Sequence, residues 1–111
     1  MKLFIYVLYN TDLLDQLLKE LHKHEIKGAT IFSSTGMARK LLNEDDQPFI
    51  GSLKALLMGT KVESNTILIA LPEAQVETVF KIVETVVGDL SLPTNGIAFT
   101  VPIDQIKGYK G

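Results

Sequence analysis

The chain has 111 residues, enough for one hydrophobic core and too few for two independent domains. With 46% hydrophobic and 22% charged residues and a net charge of −2, the composition is globular and offers no basic footprint for nucleic acid. Cysteine is absent, which excludes disulfides, thiol nucleophiles and thiolate metal sites.

The first stretch, Leu3 to Tyr9, is apolar on both faces, with Leu3, Ile5 and Val7 on one and Phe4, Tyr6 and Leu8 on the other. Such a strand belongs in the middle of a sheet, covered on both sides. It runs straight into an amphipathic helix with no small-residue cleavage site, so it reads as a strand and not a signal peptide. No segment approaches the ~20 apolar residues of a membrane span, so a cytoplasmic protein without membrane insertion is expected.

Asn10-Thr11-Asp12 supplies N-cap oxygens and an early acidic residue for the first helix. Along it Leu13, Leu14, Leu17, Leu18 and Leu21 recur at helical spacing as one apolar stripe. His22 falls off the stripe and His24 near its end. Two histidines at i and i+2 do not face each other on a helix, so no metal site is expected there.

Gly28 to Gly36 reads as a second strand that breaks into small polar residues at Ser33-Ser34-Thr35. Just beyond it stands Arg39, the only arginine in the chain. A glycine-broken strand end lets backbone N–H groups approach a ligand, and an arginine beside it adds a planar charged fork suited to phosphate or carboxylate. The competing reading is an ordinary strand end with a surface arginine. Lys40 to Pro48 reads as a polar loop in which Glu44, Asp45 and Asp46 form a solvated tip. Phe49, Ile50, Leu53, Leu56 and Leu57 then match a short amphipathic helix ended by Gly59, with 53–57 packed on the body and 41–47 mobile. Thr60 to Asn65 reads as a polar connector.

Thr66 to Leu71 is a second strand apolar on both faces. Pro72 stands near the first position of a helix whose stripe is Val76, Val79, Phe80, Val83, Val86 and Val87. Gly88 stops it, and Asp89 to Gly96 is a loop rich in turn formers. The last strand, Ile97 to Val101, ends at Pro102, followed by a tail with Gly108, Tyr109 and Lys110.

Strand–helix–strand over 3–35 is thus followed, after an insertion, by strand–helix–strand over 66–101. The pattern predicts a single α+β domain over 1–111, a ferredoxin-like βαββαβ sandwich. Right-handed crossovers place both helices on one face of a four-stranded antiparallel sheet with the first and third strands central. Helices cover one face only, so the other is left apolar and a sheet-packed homo-oligomer is expected.

Across nearly its whole length the chain resembles the P-II-like signalling proteins, a superfamily of ferredoxin-like trimers. The resemblance rests on Ile26-Lys27-Gly28-Ala29-Thr30-Ile31, on the glycine turn and basic pair Thr35-Gly36-Met37-Ala38-Arg39-Lys40, and on the long loop at 40–64, which corresponds to the family's T-loop. The turn Thr94-Asn95-Gly96-Ile97 corresponds to its B-loop, and Phe99-Thr100-Val101-Pro102-Ile103-Asp104 looks like its final strand. The resemblance implies a homotrimer that binds an adenine nucleotide or another small anionic effector between subunits and an unidentified target protein through the T-loop. By the same resemblance the ligand-binding residues are Gly36, Met37, Ala38 and Arg39, with Thr94, Asn95, Gly96 and, from the tail, Lys110. Ile97 stands where the family's B-loop lysine is expected, and Gly108 and Lys110 stand at its tail arginines. The loop has no tyrosine, so the uridylylation of some members has no acceptor here.

The alternative on the same architecture is a trimer of the CutA metal-tolerance type, which would want metal ligands. No Ser–His–Asp order, HExxH or P-loop spacing is present, and no enzymatic activity is expected.

Overall fold

The computed structural model describes residues 1–42 and 63–111. In chain order it contains β1 (Lys2–Leu8), a 3-10 turn (Thr11–Leu13), α1 (Leu14–Lys23), β2 (Ala29–Thr35) and α2 (Met37–Leu42). After the gap come β3 (Glu63–Leu71), a second 3-10 turn (Glu73–Gln75), α3 (Val76–Val86) and β4 (Ile97–Pro102). The sheet order is β2-β3-β1-β4 with every neighbouring pair antiparallel. This is the ferredoxin-like βαββαβ arrangement, with the two doubly apolar strands, β1 and β3, in the centre. The amphipathic helix expected at 49–59 and the acidic loop tip lie outside the described residues.

Strand parity decides where the core sits. Phe4 pairs with Ile69 and Tyr6 with Ile67, so these side chains share one face. They are buried with Leu8 and Leu71 against Leu17 and Leu21 of α1 and Val79, Ile82 and Val83 of α3. Both long helices therefore cover the same side of the sheet. Phe4 and Phe80 meet edge to face, with ring centroids 4.9 Å apart. Each large apolar side chain buried this way contributes roughly 1.5–3 kcal/mol. Ile82, outside the stripe expected from sequence, is among the buried residues.

The helix ends follow from local chemistry. Asn10 Oδ1 accepts the Asp12 N–H at 3.2 Å, opening the turn that leads into α1. At the other end the Glu25 N–H donates to the His22 carbonyl and the Ile26 N–H to the Leu21 carbonyl, both at 2.9 Å. That is a Schellman closure with buried Ile26 as its hydrophobic partner. Its left-handed position, usually glycine, is occupied by Glu25 at φ 64°.

Three local readings change. Residues 63–65 are strand and not connector, because Ser64 and Asn65 pair with Ser34 and Ser33 of β2. Residues 37–42 are helical, in keeping with the helix propensity of Met, Ala, Arg, Lys and Leu. Pro72 caps the 3-10 turn ahead of α3 instead of entering the helix itself. Among the described residues no helix is long and apolar enough to cross a membrane.

Candidate functional site

The face of the sheet turned away from α1 and α3 carries the site. Ile5 pairs with Leu68 on one side and Phe99 on the other, while Val7 pairs with Thr66 and Ile97. Thr66 in turn pairs with Phe32 of β2. Side chains directly opposite share a face, so these rows run across all four strands. Phe32, Ile97 and Phe99 are 47%, 53% and 41% exposed, and Leu3, Ile5, Val7 and Leu68 are half-buried. Contiguous apolar surface of this kind marks an interaction site.

At one end the face turns polar. Ser34 Oγ lies 2.8 Å from Ser64 Oγ and 2.7 Å from Thr66 Oγ1, and Ser64 Oγ donates to the Ser34 carbonyl at 3.1 Å. Ser64 is fully buried and Thr66 nearly so. The hydroxyls satisfy one another and pin the strand ends that would otherwise fray.

Arg39 sits at the same end of the sheet. The first turn of α2, closed by the Lys40 N–H on the Gly36 carbonyl at 2.9 Å, carries it just past the end of β2. Its guanidinium carbon lies 3.7 Å from the centroid of the Tyr9 ring, a stacked cation–π contact. Tyr9 follows Leu8, whose β3 partner is Asn65, the residue between Ser64 and Thr66. The arginine is only 4% exposed, and its Nε and Nη2 are buried with no hydrogen-bond partner among the described residues. Burial pulls the guanidinium below its usual range, opposed by the neighbouring Tyr9.

The loop between α3 and β4 reaches this end as well. The buried Tyr6 hydroxyl donates to the Asn95 carbonyl at 2.6 Å, and Asn95 Nδ2 donates to the Asp89 carbonyl at 2.7 Å. Burial, then the nearby Tyr9, holds the Tyr6 hydroxyl far above its ordinary pKa. The Ser91 N–H donates to Asp89 Oδ1 at 2.9 Å, and this bond, seconded by the Ser91 hydroxyl, lowers the Asp89 carboxyl. Gly96 has φ +91°, and a Cβ there would overlap the Val7 carbonyl oxygen.

The two groups Gly36–Arg39 and Thr94–Gly96 thus share the end of the sheet where β1 and β2 finish and β3 and β4 begin. Within the group, Met37 is 80% exposed and Thr94 is exposed. Lys110 is not with them. The Ile103 N–H donates to the Met1 carbonyl, which carries the tail to the opposite end. There Lys110 lines a cleft of about 470 Å³ with Lys27, Gly28, Lys107 and Tyr109.

Sequence reasoning missed Tyr9, Ser64 and Thr66. Parity places Tyr9 on the face of Leu3, Ile5 and Val7, so a ring at the edge of the uncovered face was readable. Its pairing with a particular arginine was not. The histidines are apart from this site: His24 Nδ1 bonds the Glu20 carbonyl at 3.0 Å and so carries the proton, closing the end of α1. Among the described residues no group of three or more His, Cys, Asp or Glu is placed to hold a metal ion. Compared with known proteins, the chain matches no family model and none of the curated proteins.

Proposed function

We propose that this chain is a P-II-like regulatory protein, a homotrimer joined through the open face of its sheet. It takes a small anionic effector at Arg39 and engages a target protein through its long loop at 40–64. The observation that carries the reading is the buried guanidinium, two of whose donors have no partner among the described residues. A buried donor without an acceptor costs about 1–3 kcal/mol, so a chain that keeps two of them in a charged group gains from an anion that pairs with them. The apolar rows through Ile5, Val7, Leu68 and Phe99 support self-association through the sheet.

The test combines light scattering with thermal-shift titration against adenine nucleotides, cyclic dinucleotides, 2-oxoglutarate and divalent metal ions. An oligomer is expected, together with a rise in melting temperature for at least one anion, following RT ln(1 + [L]/Kd). Arg39→Met should abolish that rise while the ligand-free protein melts at the wild-type temperature or slightly above. A monomer at micromolar concentration, or a response to metal ions alone, would overturn the proposal.

A further inference from the structure

We infer that Tyr9 and Arg39 act as one stacked receptor, in which the Tyr9 ring is a positioning residue that holds the guanidinium so that one edge takes two oxygens of a single oxyanion. The inference rests on the anion-binding reading above and goes further by fixing which edge is used, what geometry it selects and what holds it in place.

The edge follows from the two unpartnered atoms. On the guanidinium plane the Nε–H and one Nη2–H point the same way, as a parallel pair of donors. Both nitrogens are buried and without acceptors among the described residues. Two parallel donors match a carboxylate or a phosphate group through two of its oxygens. A halide offers no such pair of acceptor atoms, and lysine in place of Arg39 would present a single point charge.

Tyr9 supplies the positioning. A free arginine side chain rotates about several bonds, and its order must be provided by neighbours. Here the Tyr9 ring lies 3.7 Å beneath the guanidinium carbon and fixes the plane. Tyr9 is held in turn by its place one residue beyond β1, a central strand paired on both sides. The hydroxyls of Ser34, Ser64 and Thr66, at the same end of the sheet, are engaged with one another. Stacking of this kind is worth enough to change an affinity by about tenfold.

Because Arg39 is the only arginine, its Nε–H gives a single, self-assigned signal in a proton–nitrogen correlation spectrum. The probes are inorganic phosphate, acetate and adenosine triphosphate, with chloride at matched ionic strength as the control. In the free protein the signal should be displaced by the ring current of Tyr9, and Tyr9→Leu should return it towards the ordinary arginine position. Phosphate or acetate should shift it towards a hydrogen-bonded position where chloride does not. A response to acetate and phosphate alike marks a receptor for the oxyanion itself, and a response to the triphosphate alone marks a nucleotide's phosphate; either supports the receptor. Tyr9→Leu should weaken binding about tenfold, and Tyr9→Phe, which keeps the ring, should restore it. If Tyr9→Leu binds like wild type while Arg39→Lys does not, the positioning role is wrong and the anion site stands. If no probe moves the signal, the anion reading fails with it.

Discussion

Replacing Gly96 by alanine tests how the loop beside Arg39 is held. At φ +91° an L-residue is strained, at a cost of about 1–3 kcal/mol. The added Cβ would overlap the Val7 carbonyl oxygen and come within 3.1 Å of Tyr6 Cε1. Val7 belongs to a strand paired on both sides, so its carbonyl cannot withdraw and the loop must move instead. Movement of Gly96 carries away the Asn95 carbonyl that accepts from the Tyr6 hydroxyl. A buried hydroxyl without its acceptor costs a further ~1–3 kcal/mol. Together Gly96→Ala should lose about 2–6 kcal/mol, against a total of roughly 5–15 kcal/mol for a domain. Urea denaturation would show a large fall in midpoint at unchanged slope. Gly36→Ala is the control, since among the described residues no atom beyond its chain neighbours lies within 4 Å of its Cβ position and its φ is not positive, and it should stay within ~0.5 kcal/mol of wild type. The Tyr6→Phe/Gly96→Ala double variant should lose less than the sum of the two single losses, because both remove the same bond. A Gly96→Ala variant as stable as Gly36→Ala would refute the reasoning.

Tyr6 also predicts a pH dependence: its folded pKa is raised, so its stabilising contribution is complete below about pH 10 and is lost as pH rises beyond it, with a slope approaching ~1.4 kcal/mol per unit. Urea midpoints measured through that range should fall more steeply for wild type than for Tyr6→Phe. Leu68→Glu lies on the open face and should leave the circular dichroism spectrum intact while shifting scattering towards a monomer. Tyr6→Glu, on the buried face, should instead unfold the protein by placing a carboxylate in the core. Glu25→Gly should raise stability by about 1 kcal/mol, measured by denaturation, because glycine relieves the left-handed strain at the end of α1.

The fold was legible because its main signals are local. Leu3 to Leu8 and Thr66 to Leu71 are apolar on both faces, and only a central position in a sheet accommodates that twice in one small domain. The leucines of α1 mark their buried face by spacing alone. Arg39 was legible as a charged fork beside a glycine and not as a buried one, because the ring it stacks on, Tyr9, belongs to a different element and no local pattern joins the two. Ser64 and Asn65 have low strand propensity, and only cross-strand pairing with β2 makes them strand. Lys110 joined the other site residues through resemblance, while the path of the tail depends on backbone contacts that leave no pattern in side-chain type.

The strand order also imposes an order in time. β1 is synthesised first, yet both of its neighbours, β3 and β4, come from the second half of the chain. Until residues 63–71 emerge it has no partner, and until 97–102 follow one edge remains open. Its pairings close long loops whose entropy is lost before the contacts form, which makes folding slow. Throughout synthesis a strand apolar on both faces therefore stands ready to pair with whatever edge it meets. The most recently made strand, β4, protects the oldest, and a lesion in Ile97–Pro102 would show itself as aggregation nucleated at Lys2–Leu8.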